Sequence, residues 1–282
     1  MGCGSIGEGF RFSKGFKVRN IKTSGAAIHV RYGGQGPAVV LLHGFGDTGD
    51  MWAPVATALC KDHTVVVPDL RGMGLSPRPP GGYDKKTQAQ DIAQVLDRLK
   101  IETAALVTHD IGNTVGYAFA ANFRRGSHAG SSSTRRCRGS DPGPTSCAIR
   151  KSGTSIFAGP MSSAWSRAAS VFISIAFGTN CRRTPKKIGE ANRRHYARLY
   201  ARPHAMHCAF EQFAAFTQDA IDNKAFAAKG KLIMPILALG GDHSYKTLMA
   251  DIMRLVGSDV TGGVITDSGH WVMESSRGRP RR

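Results

Sequence analysis

Three short stretches of the chain combine the residue types that perform nucleophilic catalysis. They are His43–Gly46, Thr108–Gly112 and Ser268–Trp271. The second stretch contributes a carboxylate, Asp110, and the third contributes an imidazole, His270. A carboxylate can attack an electrophilic carbon, and a nearby imidazole can take a proton from water. Together the three stretches predict covalent catalysis by a carboxylate and a histidine.

The residues around Asp110 predict a sharp turn between a strand and a helix. Such a turn presents its nucleophile above the sheet and needs small neighbours, a condition that Gly112 meets. The backbone N–H of Ile111 and that of Phe45 are then predicted to form an oxyanion hole. Gly44 and His109 are predicted to line the same oxyanion and substrate site.

An alternating order of strands and helices is expected to position these stretches. Ala38–Leu42 is a continuous apolar run, typical of a strand buried on both faces of a parallel sheet. Thr64–Val67 and Ala104–Val107 repeat the pattern, and Ile28–Tyr32 alternates as a strand does. Thr87–Leu99 carries a helical apolar stripe. This alternation predicts a doubly wound sheet with catalytic groups at the carboxyl ends of its strands.

The later part of the chain continues the pattern. Residues 190–226 are predicted to be helical, and a helix is expected to begin near Asn113. The last elements are a strand at Leu232–Leu239, a helix at Thr247–Val256 and a strand at Val260–Ile265. The last strand leads directly to His270, so the base arrives at the same edge of the sheet.

The three ordered motifs resemble the α/β-hydrolase family, as does the loop Pro68–Ser76. The resemblance implies a mostly parallel, doubly wound sheet with an inserted helical cap. Residues 1–124 and 229–282 would form the core. Residues 125–228 would form the cap region, with a helical remnant at 190–228.

The nucleophile position is an aspartate, which indicates a branch of that family. An aspartate attacks an sp3 carbon and leaves an alkyl-enzyme ester, which water opens with His270 as base. Epoxide hydrolases and dehalogenases use this route. Haloalkane dehalogenases usually place Trp after the nucleophile and fluoroacetate dehalogenases place Arg, so Ile111 favours epoxide opening. The alternatives are a dehalogenase of the same branch, a catalytically silent relative, or an Asp110 that only caps a helix before Asn113.

Some family positions are filled differently here. The ring-opening Tyr of bacterial epoxide hydrolases falls at Phe213 or at Gln212. Tyr196 or Tyr200 could substitute, although both are predicted to be core aromatics.

The acid partner of His270 is also open. Asp242 lies near the usual position after the seventh strand. The alternative, an acid in an Asp/Glu-Ala-Pro segment after the sixth strand, is missing from the sequence.

Residues 126–181 are anomalous, because they are rich in Ser, Arg and Gly where a sixth strand and the first half of the cap should be. Reading the underlying codons in another frame permits a cap-like peptide with the missing Asp-Ala-Pro. The hypothesis is a pair of frameshifts near residues 125–127 and 182–185, with a third altering 275–282. The alternative is a divergent cap insertion. The frameshift hypothesis predicts neither a sixth strand nor packed cap helices in 126–181.

The basic composition is local. The formal net charge is +18, but residues 124–187 hold 12 Lys and Arg and one acid. With no nucleic-acid motif elsewhere, the predicted partner is a small-molecule substrate, not a nucleic acid. No cofactor or metal motif is present, no membrane span is predicted, and a cytoplasmic location is expected. A homodimer is left open.

Overall fold

Strands and helices alternate along the chain. The computed structural model describes residues 10–123, 136–139 and 190–271, with 136–139 described through the backbone. The first elements are β1 (Lys17–Thr23), β2 (Ala26–Gly33), β3 (Ala38–Leu42), α1 (Ala53–Leu59), β4 (Thr64–Pro68), α2 (Lys85–Arg98), β5 (Thr103–Thr108), α3 (Ile111–Asn122) and β6 (Arg136–Gly139). They are followed by α4 (Glu190–Tyr200), α5 (Ala205–Ala214), α6 (Phe216–Ala228), β7 (Ile236–Gly241), α7 (Leu248–Val256) and β8 (Val260–Ile265).

The strands form a mostly parallel arrangement, as predicted. One sheet has the order β1-β2-β4-β3-β5-β6, and β7 pairs with β8. β3 is parallel to both β4 and β5, whereas β2 is antiparallel to β1 and β4. The carboxyl ends of β3 and β5 therefore meet at one edge, which brings the loops that follow them together.

Strand β3 shows why the sheet is covered on both faces. Its side chains alternate in direction, as in any strand. Val40 and Leu42 pack into the core formed with α2 and α3, whereas Val39 and Leu41 pack with Met51, Trp52 and Ala56 around α1. A strand buried on both faces must be apolar throughout, and this explains the continuous run in the sequence.

Two boundaries differ from the prediction. β7 begins at Ile236 instead of Leu232, and Leu232 makes only an isolated bridge to Gly257. Pro235 has no N–H to donate, so continuous pairing begins after it. Helix α3 begins at Ile111, earlier than the predicted start near Asn113.

The prediction that residues 126–181 lack a sixth strand is wrong. Arg136–Gly139 forms the short strand β6, which pairs in parallel with β5. Ladder hydrogen bonds use backbone groups alone, so a polar segment can complete the open edge of β5. The predicted absence of packed cap helices in this segment lies outside the described residues, as does the altered tail at 275–282.

Helices α4–α6, termed the cap helices, contact the core through hydrogen bonds and ion pairs. His195 Nε2 of α4 lies 2.8 Å from Asp50 Oδ2. Lys85, at the start of α2 and only 2% exposed, pairs with Asp219 of α6 at 3.0 Å. A buried ion pair fixes orientation, because separating its charges leaves each unpaired in a low dielectric. The cap helices therefore have a defined position relative to α2 and to the segment that carries Asp50.

Among the described residues, no helix has the length and apolar character needed to cross a bilayer.

Candidate active site

Asp110 lies at the turn between β5 and α3 in a strained backbone conformation. Its φ is 53° and its ψ is −123°. Non-glycine residues rarely adopt such values, which cost about 1–3 kcal/mol and occur mainly at functional sites. Although Asp110 precedes the helix, its side chain makes no capping hydrogen bond to α3. The alternative that Asp110 is only a helix cap is therefore wrong.

Two glycines make this turn possible. A Cβ on Gly112 would lie 2.6 Å from the carbonyl oxygen of His43 and 2.7 Å from that of Leu42. A Cβ on Gly44 would lie 2.5 Å from Cβ of Asp110 and 2.9 Å from Nδ1 of His109. Because no real Cβ tolerates such distances, both positions need glycine for close approach.

The two carboxylate oxygens of Asp110 are held by two different loops. The N–H of Phe45 donates to Oδ1 at 2.9 Å, and Nε2 of His270 lies 3.2 Å from Oδ2. Both side chains are 25% exposed, so the pair is accessible to a substrate. Asp110 follows β5 of the six-stranded sheet and His270 follows β8 of the two-stranded sheet, and the two side chains meet beyond the carboxyl ends of these strands, as predicted.

The surroundings of Asp110 keep it ionised. Burial raises its pKa, but the hydrogen bond and charge of His270, together with the hydrogen bond from the Phe45 N–H, hold the pKa well below the usual aspartate range. A nucleophilic carboxylate must be deprotonated, so the site supplies the reactive form at neutral pH.

The second predicted oxyanion group is the N–H of Ile111. It is the first N–H of α3, which has no acceptor within its own helix, and it follows the nucleophile directly. The side chain of Ile111 is buried in the core. Its backbone is thus available to the site while its side chain offers no polar group.

Asp242 holds the backbone of the loop that carries His270. Its Oδ2 accepts from the N–H of Asp267 at 2.8 Å, and its Oδ1 accepts from the N–H of Ser268 at 2.9 Å. These bonds fix the backbone just before His270. The role of Asp242 as the acid partner of the imidazole stays a prediction.

His109 contacts the backbone of His270. Its Nε2 lies 2.9 Å from the carbonyl oxygen of His270. Burial and the neighbouring charge of His270 lower the pKa of His109 to about 4, so the ring is neutral near pH 7. A carbonyl accepts, so Nε2 carries the proton. This brace was not predicted from the sequence, and the predicted role of His109 in substrate binding stays a prediction.

The residues 43–47 after β3 are termed the oxyanion loop, after the predicted role of the Phe45 N–H. Sequence reasoning missed a polar cluster beside this loop. Nε1 of Trp271 donates to Oδ2 of Asp47 at 2.8 Å. The hydroxyl of Tyr200 accepts from the N–H of Gly46 and donates to the carbonyl oxygen of Asp47, each at 3.1 Å. Asp47 comes directly after the predicted motif His43–Gly46, and Trp271 is the last residue of the predicted motif Ser268–Trp271, so position in or next to a motif was the available signal.

The aromatic predictions have mixed outcomes. Tyr196 and Tyr200 are both buried in the core, as predicted, but Tyr200 also bonds the oxyanion loop. Gln212 is buried, and its amide bonds Arg71 and Gln88. The ring of Phe213 lies edge-on to that of Phe45, with 4.6 Å between centroids. This contact places an apolar surface next to the oxyanion loop.

In the part of the chain that the structure describes, no three His, Cys, Asp or Glu side chains form a group that could hold a metal ion.

The strained turn at Asp110 between β5 and α3 is termed the elbow. The fold and this elbow define an α/β hydrolase. The chain belongs to the alpha/beta hydrolase family, whose pattern matches residues 39–280. The family predicted from the sequence motifs is thereby confirmed, and the chain is an enzyme of this hydrolase type.

Individual relatives indicate an epoxide hydrolase-like protein. The chain is 28% identical over 271 residues to the soluble epoxide hydrolase of Corynebacterium sp. (strain C12), covering 89% of this chain and 90% of that one. The structure of epoxide hydrolase CorEH without ligand matches with a TM-score of 0.75 at 26% identity, covering 93% of this chain and 94% of that chain. The fluoroacetate dehalogenase of a Burkholderia species is 38% identical over 112 residues, which span 38% of this chain and 37% of that enzyme.

Proposed function

We propose that this hydrolase opens an epoxide by attack of Asp110 and hydrolysis of the resulting alkyl-enzyme ester. One observation carries the proposal. An ionised carboxylate lies on a strained elbow, with one oxygen held by the Phe45 N–H and the other 3.2 Å from the imidazole of His270. A serine at this position would favour acyl transfer, whereas a carboxylate favours displacement at an sp3 carbon.

The first step is displacement. A carboxylate oxygen of Asp110 forms a bond to one ring carbon, and the bond from that carbon to the epoxide oxygen breaks. The oxygen leaves as an alkoxide and takes up a proton from solvent. Phe213 lacks a proton to give, and the hydroxyl of Tyr200 already donates to Asp47. The donor is therefore assigned to neither residue.

The second step is hydrolysis of the ester. Water attacks the carbonyl carbon of the Asp110 ester and gives its proton to Nε2 of His270. The N–H groups of Phe45 and Ile111 stabilise the negative oxygen that forms. Collapse expels the diol oxygen, which takes the proton back from His270. The Asp110 carboxyl group retains an oxygen atom from water and loses a proton to solvent, which regenerates the carboxylate.

Epoxide opening is favoured over removal of a halide. A departing halide needs side-chain donors, and the residue after the nucleophile is the buried hydrocarbon Ile111. Two relatives that cover about nine-tenths of the chain, one found by sequence and one by structure, are named epoxide hydrolases. A dehalogenase of the same branch is the second candidate, since the dehalogenase relative matches part of the chain at higher identity.

Heavy-oxygen water tests the route directly. The full chain is mixed with less than one equivalent of styrene oxide in H2(18)O, and the peptide containing Asp110 is analysed by mass spectrometry. We expect label in Asp110, no label in Asp110→Asn, and a stable adduct in His270→Gln, which attacks but does not hydrolyse.

Parallel assays with 1-chlorobutane and fluoroacetate separate the alternatives. Halide release without diol formation would replace the proposal by a dehalogenase. An unlabelled Asp110 during epoxide turnover would exclude the covalent route, and inactivity on all three compounds would favour a silent relative.

A further inference from the structure

Asp47 is a buried carboxylate that the proposed reaction does not use directly. Its side chain is 4% exposed, and it lies in the loop that carries the Phe45 N–H. Oδ2 accepts from Nε1 of Trp271 at 2.8 Å, and the same oxygen lies 3.9 Å from Nδ1 of His109. Burial of a carboxylate without a hydrogen bond lowers the stability of the fold, so the hydrogen bond from Trp271 fixes the position of the Asp47 side chain.

The contact joins the two loops that hold Asp110. Phe45 lies two residues before Asp47, and Trp271 comes directly after His270. The rings of His270 and Trp271 meet edge-on with 4.8 Å between centroids, so movement of the indole also moves the imidazole. The hydrogen bond between Asp47 and Trp271 therefore couples the oxyanion loop to the base.

The main chain of Asp47 is fixed from a third direction. The hydroxyl of Tyr200, at the end of α4, bonds the N–H of Gly46 and the carbonyl oxygen of Asp47. Both groups lie on the same short loop as Phe45. The cap helices thereby hold the main chain of this loop, while the Asp47 side chain reaches towards the base.

We propose that Asp47 is a positioning residue that sets the distance between the Phe45 N–H and the His270 imidazole across Asp110. The inference rests on the proposed function. Attack by Asp110 needs the carboxylate in place, whereas hydrolysis needs both loops at once, one on the ester oxygen and the other on the attacking water. Loss of the Asp47–Trp271 bond should therefore slow hydrolysis more than attack.

Two variants and a rescue test this inference. Trp271→Phe removes the N–H but keeps an aromatic ring beside His270, and Asp47→Ala removes the acceptor. Asp47→Asn keeps an acceptor oxygen and should restore most of the function. Asp251→Asn, in an exposed pair with Arg254, is the matched surface control.

Rapid mixing of each full-length variant with excess styrene oxide, with intact-mass measurement at each time point, gives the rates of attack and hydrolysis. We expect the rate of hydrolysis to fall about tenfold in Trp271→Phe and in Asp47→Ala, because each variant loses one charge-assisted hydrogen bond. The rate of attack should stay within about twofold of wild type. The covalent adduct should then accumulate in these two variants, whereas Asp47→Asn and Asp251→Asn should resemble wild type.

The outcomes separate the two proposals. Unchanged hydrolysis in Trp271→Phe, or equal slowing of attack and hydrolysis in Asp47→Ala, overturns the positioning role while leaving the epoxide reaction intact. Absence of both turnover and adduct in wild type and in His270→Gln overturns the proposed function, and the inference with it.

Discussion

Replacing Gly44 by alanine would place a methyl group directly against the nucleophile. The added Cβ would lie 2.5 Å from Cβ of Asp110, which is about 0.9 Å closer than the 3.4 Å at which ordinary contact begins. It would also meet Nδ1 of His109 at 2.9 Å. Neither atom is the far end of a flexible side chain, so the elbow and the oxyanion loop must move apart.

The size of the effect can be worked out from that displacement. Overpacking of this kind costs about 1–3 kcal/mol, which lowers the melting temperature of a chain of this size by roughly 3–10 °C. A misplacement approaching 1 Å at the reacting groups costs about 100-fold in rate. We therefore expect kcat/KM for styrene oxide to fall about 100-fold in Gly44→Ala, while the folded state survives at 25 °C.

Gly81→Ala is the matched control, because a Cβ at Gly81 meets no atom within 4 Å. Steady-state kinetics and thermal unfolding of both variants provide the measurement. If Gly44→Ala kept kcat/KM within threefold of wild type, the close packing of the oxyanion loop on Asp110 would not be what positions the nucleophile.

Two further predictions concern stability. The pKa of His109 is lowered to about 4, so between pH 6.5 and 4 the unfolded chain binds a proton that the folded chain does not. The free energy of unfolding should therefore fall by about 3 kcal/mol as the pH is lowered over that range, and by less in His109→Asn. Urea unfolding at several pH values measures this difference. Asp219→Ala removes the carboxylate that pairs with the buried Lys85, and it should lower the free energy of unfolding in urea by about 3–5 kcal/mol. Asp251→Ala, in an exposed pair, should lower it by less than about 1 kcal/mol. Equal losses in the two variants would contradict a buried ion pair between the core and the cap helices.

The sequence predicted the sheet well because burial on both faces leaves a strong local signal. Ala38–Leu42 is a strand with the predicted bounds, and Val260–Ile265 likewise. The meeting of Asp110 with His270 could be expected from the sequence, which predicts each of them directly after a strand of a parallel sheet, although β5 and β8 pair in two different sheets. Their chemistry could thus be predicted without knowledge of any side-chain contact.

Other features depend on contacts that no local pattern encodes. The hydrogen bond between Asp47 and Trp271 joins residues far apart in the chain. An Asp next to one predicted motif and a Trp at the end of another do not by themselves indicate that the two side chains are hydrogen-bonded. Strand β6 has no apolar pattern, because it is formed by backbone pairing to an open edge. The late start of β7 depends on Pro235, which lies within an otherwise apolar run.

The backbone geometry of the elbow does not depend on which side chain stands at position 110. Asp110 adopts its strained φ while its side chain makes no capping bond, and the close approaches at Gly44 and Gly112 involve positions that any residue at 110 would share. A serine there would face the same N–H groups and the same imidazole. A substitution at position 110 alone could therefore shift the scaffold from the proposed alkyl transfer to acyl transfer, so the reactions of such a family can diversify through one residue of a shared site.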